Sequence, residues 1–132
     1  MVNSSKNPAA LTAADKNDEK GYTSRSGMKM IFNDDKKSID IETPAGNKFS
    51  ISEDEKAIKM VDQNGNKFTM DQDGIKLESV KDMVFKAQNE MNVSGLNATM
   101  KADSQATFKG GSGAELSSGG STAVKGSVVQ IN

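Results

Sequence analysis

Between residues 83 and 108 every second side chain falls on one side of an alternating pattern. Met83, Phe85, Ala87, Asn89, Met91 and Val93 share that side. After Gly95 the parity slips by one, and Leu96, Ala98, Met100, Ala102, Ser104, Ala106 and Phe108 continue it. The four charges in the window, Lys86, Glu90, Lys101 and Asp103, all lie on the other side. Strict alternation is the signature of β-structure with one covered face. The window is far longer than an ordinary strand of about five or six residues. Short strands that bend at small residues and keep one face inward satisfy both facts, which describes a β-solenoid or β-helix.

The chain has 132 residues, of which 34% are hydrophobic and 5% aromatic. A small domain buries only about 60–70% of its unfolded surface even with a normal apolar complement, so this chain is poor in core of its own. Sustained period-two patterning argues against disorder. The expected solution is core borrowed from neighbouring copies. With a net charge of −1 and interspersed signs, the sequence carries no nucleic-acid or anionic-membrane footprint. There is no Cys, hence no disulfide and no thiolate metal site. It has no apolar run long enough for a transmembrane helix and no signal-peptide core at its start.

Residues 1–24 are polar and aperiodic, with a helical turn expected at most over 9–14, and read as a flexible tail or linker. The opening five residues read either as native or as added at the start of the chain. From Gly27 short apolar runs follow at spacings of about eight to ten residues. Met28, Met30 and Phe32 lead to Asn33-Asp34-Asp35, and Ile39 and Ile41 to Pro44-Ala45-Gly46. Phe49 and Ile51 precede a charged turn at 53–56. Ile58 and Met60 precede Asp62-Gln63-Asn64-Gly65, and Phe68 and Met70 precede Asp71-Gln72-Asp73-Gly74. The stretches 39–52 and 58–71 match at an offset of 19 residues and share Gly-Asn-Lys-Phe. Such self-similarity marks stacked supersecondary units. Two strands per unit do not complete a three-sided coil, so other chains are expected to supply the missing sides. Residues 110–132 hold six of the twelve glycines and only two charges, Glu115 and Lys125. They read as a Gly-rich narrowing tip of the β-structure, with a disordered linker as the alternative.

The chain has no His, which removes Ser-His-Asp and Cys-His catalysis and imidazole metal sites. Gly110-Gly111-Ser112-Gly113 lacks the spacing and following helix of a phosphate loop. The segments starting at Asp62 and Asp71 have glycine misplaced for a calcium loop and read as tight turns. Glu53, Asp54 and Glu55 read as a solvated turn, and the eight methionines as core filler. No enzyme activity, cofactor or metal is expected. Asn89 and Ser104 fall on the inward side, where an unpaired polar group costs roughly 1–3 kcal/mol. Each either forms a polar ring around a threefold axis that suits a water or ion, or hydrogen-bonds locally at a bend.

Arg25-Ser26-Gly27-Met28-Lys29-Met30-Ile31-Phe32-Asn33-Asp34, two rounds of strand, Gly-Asn-Lys-Phe and acidic turn, then a long alternating run resemble the C-terminal needle of VgrG proteins. These are the spikes of type VI secretion systems, with relatives in contractile phage baseplates and extracellular contractile injection systems. The resemblance covers roughly residues 24–132; the chain departs from it in having no His after the Arg-Ser-Gly opening. It implies an all-β fold, an intertwined triple-stranded β-helix formed by a parallel homotrimer over 25–132. The expected trimer core is Ile39, Ile41, Phe49, Ile51, Ile58, Met60, Phe68, Met70, Met83, Phe85, Met91, Val93, Leu96, Met100, Phe108 and Leu116. It further implies a non-enzymatic spike that punctures a target membrane mechanically, is assembled in the bacterial cytoplasm and is then delivered outside. The implied partners are two further copies, an upstream hub and oligonucleotide-binding-fold region, and a PAAR-type tip protein. That tip protein is expected to dock on Val128, Val129, Gln130, Ile131 and Asn132. No nucleic acid is expected. The alternative is the trimeric β-stalk of an adhesin or tail fibre, which the absence of heptads disfavours.

Overall fold

The computed structural model describes residues 17–132, which contain seven strands and no helix. The helical turn expected over 9–14 and the opening five residues lie outside the described residues. The chain divides into two units, the first running to Lys86 and the second covering Ala87–Asn132. In the first unit, strands β1 (Glu19–Thr23), β2 (Lys29–Asn33), β3 (Ser38–Glu42), β4 (Lys48–Ser52), β5 (Ala57–Val61), β6 (Lys67–Asp71) and β7 (Gly74–Glu78) form one sheet. Each strand pairs antiparallel with the next, in the order β1 to β7. The all-β expectation is met. Over this unit, however, neighbouring strands come from the same chain rather than from intertwined copies, because every connection is short enough for a hairpin.

The repeat extends beyond its sequence trace. β1, β3 and β5 begin at 19, 38 and 57, and β2, β4 and β6 at 29, 48 and 67, a constant step of 19 residues. There are thus three hairpin units where two were legible. The first was hidden because Tyr22 is the only large apolar residue of β1. Its Gly21 is needed sterically, since a Cβ there would lie 2.6 Å from the carbonyl oxygen of Met30. The ordered sheet therefore starts at Glu19, inside the stretch read as a linker.

Two kinds of turn alternate. On one side, Ser24, Thr43 and Asp62 each open a tight loop that ends in a left-handed glycine, Gly27, Gly46 or Gly65. The glycine amide donates to the opening residue's carbonyl, at 3.0, 3.0 and 3.2 Å. Positive φ explains why glycine stands there. On the other side, four-residue turns occupy 34–37 and 53–56 and end in Lys37 and Lys56 at φ 48° and 53°. The third unit has the shorter turn Gln72-Asp73.

The glycine loops are also tied to one another. The Asn47 side chain accepts from the Gln63 amide at 2.9 Å and donates to its Oε1 at 3.0 Å. One unit later, Asn66 Oδ1 accepts from the Val80 amide at 3.0 Å. The first unit has Met28 in the place of Asn47, and Pro44, which has no amide hydrogen to offer, stands in the place of Gln63. Asp62 closes its own loop, accepting from the Asn66 side chain at 2.8 Å, the Asn66 and Asn64 amides at 2.9 Å and the Asn64 side chain at 3.2 Å.

Removing the Asn47 clamp with Asn47→Ala is expected to destabilise the sheet unit by about 1–2 kcal/mol in denaturant titration; an unchanged midpoint would refute the clamp. Donors from the Asn66 side chain first, then its amide, hold the Asp62 carboxyl at about 2, below its ordinary 3.8. A depressed carboxylate contributes stability that is present above its unfolded pKa and lost as pH falls through the folded one. The Asp62 contribution is thus expected to be complete above about pH 4 and to vanish towards pH 2. Carbon-detected NMR titration should find the low midpoint, and Asn66→Ala should move it back towards the ordinary value.

Candidate functional site: an uncovered apolar face and an eight-residue rhythm

Strand register places two apolar rows on one face of the sheet. Tyr22, Met30, Ile41, Phe49, Met60, Phe68 and Leu77 stand opposite one another in the first. The second runs Phe32, Ile39, Ile51, Ile58, Met70 and Ile75, with Lys20 at the β1 end. Eight of the expected core residues, from Ile39 to Met70, therefore share a single face. Sequence reasoning left Tyr22, Met30, Phe32, Ile75 and Leu77 out of that core; the 19-residue step carried back one unit reaches Tyr22, Met30 and Phe32 and carried forward reaches Leu77, whereas Ile75 falls out of step because the turn at 72–73 is two residues shorter. Nothing in the described chain covers these rows. Phe32 and Met60 are each 44% exposed, and only Ala57 and Ser52 are buried among the described residues.

The face is shaped as well as apolar. A hollow of ≈ 570 Å³ lies over the first row, lined chiefly by Ile41, Phe49, Met60, Phe68, Leu77 and Met83. A second hollow of ≈ 400 Å³ lies along Ile51, Ile58 and Met70. Contiguous apolar surface on this scale marks an interaction site. The opposite face carries the charges, including ion pairs Lys48–Asp40 at 3.4 Å and Lys59–Glu55 at 2.7 Å. The Lys59 hydrogen bond and charge lower the Glu55 pKa and, reciprocally, Glu55 raises that of Lys59. These are solvent-exposed pairs of small energetic weight.

From residue 80 onward every side chain is exposed. No backbone-to-backbone hydrogen bond is made from residue 79 onward among the described residues. The chain nevertheless bends in rhythm, at Val80-Lys81, Gln88-Asn89, Leu96-Asn97, Asp103-Ser104, Gly111-Ser112, Gly119-Gly120 and Ser127. Successive bends are eight residues apart except between Leu96 and Asp103, where the step is seven. That one short segment is the cause of the parity slip.

Each segment repeats the same order of side chains. A bulky residue stands at Phe85, Val93, Met100, Phe108, Leu116 and Val124, and a small one two places on at Ala87, Gly95, Ala102, Gly110, Ser118 and Gly126. The three glycines of this column have a steric reason. A Cβ on Gly110 would overlap the Gly113 carbonyl oxygen, one on Gly95 would lie 3.3 Å from that of Asn97, and one on Gly126 3.1 Å from that of Val128. Met83 and Met91 begin a further column that narrows to Ala98, Ala106 and Ala114. The eight-residue recurrence is the signal that alternation alone did not expose.

Within this rhythm the remaining expected residues take definite places. Leu96, counted with the inward set, stands at a bend, in the place of Gln88 and Asp103. Asn89 and Ser104 are likewise bend residues, both exposed. Val128, Val129, Gln130, Ile131 and Asn132 follow the last bend, and Val128 and Ile131 are 82% and 89% exposed. Among the described residues no three His, Cys, Asp or Glu side chains are placed to hold a metal ion, and no helix is long and apolar enough to cross a membrane.

No family model matches the chain, and no curated protein matches it.

The rhythm makes a direct prediction at its tightest point. Gly110→Val should prevent the bend at 111–112, because its side chain would overlap the Gly113 carbonyl. The measurable outcome is local. Chemical shifts downstream of residue 110 should change while those of the 19–78 sheet do not. Unchanged shifts around Gly113 would refute the steric account.

Proposed function

We propose that this chain is the structural, non-enzymatic needle of a contractile injection machine, working as a parallel homotrimer. The observation that carries this reading is the segment 79–132, which keeps strand-like alternation and a regular bend while making no backbone hydrogen bonds of its own. An extended backbone of that length presents rows of unpaired donors and acceptors, and such edges are satisfied by pairing with other strands. Three copies winding about one axis would give each segment a neighbour from another chain, as an intertwined triple-stranded β-helix. The bulky column would then point inward, and the charged positions outward. The uncovered sheet face supports the same conclusion, because fully covering a Phe, Met or Ile side chain contributes roughly 1.5–3 kcal/mol. The resemblance to VgrG needles supplies the biological setting: assembly in the bacterial cytoplasm on an upstream hub and oligonucleotide-binding-fold region, then delivery outside the cell. A closed rod that keeps its charges outward transmits axial force to a target membrane. Its final residues, Val128 to Asn132, form the seat for a PAAR-type tip protein.

The test has two arms. Light scattering should give three times the chain mass, and hydrogen exchange should show amides of 87–132 protected in the assembly. A folded monomer with those amides unprotected would end the proposal. A PAAR-repeat partner should be retained by the full chain and lost on removal of the last five residues. A trimer that ignores the tip protein but binds a cell-surface ligand would favour the adhesin or tail-fibre stalk instead.

A further inference from the structure

The 19-residue step does more than repeat hairpins. It also sorts charge to opposite lateral edges of the sheet. Lys29, Lys48 and Lys67 are the first residues of β2, β4 and β6, all beside the glycine loops. Asp35, Asp54 and Asp73 occupy the turns at the other ends of the strands, again 19 residues apart. All six are exposed. None of the three aspartates makes an ion pair among the described residues, and of the three lysines only Lys48 does.

The wider surroundings keep the contrast. The turns at 34–37, 53–56 and 72–73 hold six carboxylates against three lysines. The glycine-loop edge holds four cations (Arg25 and the three lysines) against Glu42, Asp62 and Glu78. Of those carboxylates, Asp62 is already committed to its own loop. The edges lie about 17 Å apart, the length of a five-residue strand, and the rungs of each column repeat every two strands, about 9.6 Å. Two columns with equal numbers of rungs and equal pitch can meet in step.

We propose that the uncovered apolar face is closed by further copies of this chain that meet edge to edge, the lysine column of one copy against the aspartate column of the next. This inference rests on the needle reading and adds to it which edges touch and in what sense. In a threefold arrangement such a contact is heterologous and repeats head to tail around the axis, so that every column is matched. A face-to-face pair would set like edges together about a twofold axis parallel to the strands; only an axis parallel to the columns would oppose unlike edges, and the assembly mass separates that dimer from a ring of three. The apolar rows supply the drive to associate, and the two columns choose among arrangements that bury them equally well, as charge complementarity does at interfaces generally.

The test is the sign of the salt response of the full chain, read by light scattering across a dilution series. The unaltered assembly should weaken as salt rises, since it brings opposite charges together. The variant Asp35→Lys, Asp54→Lys, Asp73→Lys sets lysine against lysine. It should assemble roughly tenfold or more weakly at low salt and strengthen as salt rises. These aspartates sit in exposed turns, and far-UV circular dichroism confirms that the sheet survives the change. A variant that assembles like the parent, with the same salt response, overturns the edge assignment and leaves the needle reading standing. So does an unaltered trimer indifferent to salt, which decides the matter even if the variant fails to fold. An unaltered chain that stays monomeric at all concentrations defeats the needle reading and this contact together.

Discussion

A single antiparallel layer has two faces, and a chain that loads one of them with thirteen large apolar side chains cannot satisfy that face alone. Every other feature follows from this imbalance. The backbone of the sheet is self-sufficient, because each strand finds its partner a few residues away. Its side chains are not, since no layer among the described residues covers them. The polar face has the reverse character, with small residues, lysines and carboxylates that gain nothing from being covered. The sheet is therefore paired from strand to strand, save at the outer edges of β1 and β7, and incomplete in packing.

The segment past residue 79 inverts that condition. Its backbone finds no partner among the described residues, and its side chains diminish from Met83 and Met91 to alanine along one column while Phe85 to Val124 stay large in another. The glycines before three of the bends, Gly95, Gly110 and Gly126, answer a local steric demand. One chain thus carries two forms of dependence on its surroundings. In the sheet it is an oily face; past residue 79 it is an unpaired main chain.

Much of this was legible in the residues. Alternation gave the β class, and Asn33-Asp34, Pro44-Ala45-Gly46 and Asp62-Gln63-Asn64-Gly65 marked turns correctly. The Gly-Asn-Lys-Phe echo gave the 19-residue unit. The first copy of that unit escaped because Lys20 stands where the later units have Ile39 and Ile58, which leaves Tyr22 alone to announce a strand; its loop, Ser24 to Gly27, preserves the pattern. The antiparallel pairing within one chain was not foreseen, because period-two alternation reports which face a residue takes and says nothing of which strand lies beside it. The eight-residue bend was obscured for a related reason. Alternation has period two, which divides eight, so it runs through the bends without marking them. Only the odd segment at 96–102 disturbed it.

That odd segment gives the extended unit something its neighbours lack. A chain cut into equal lengths has no internal address: slide one copy past another by a whole segment and every corner meets a corner again. Seven residues among eights abolish that indifference. Any two strands of this sequence laid side by side have one alignment in which all their corners stay level, and the position from Leu96 to Ala102 works as the notch by which they find it.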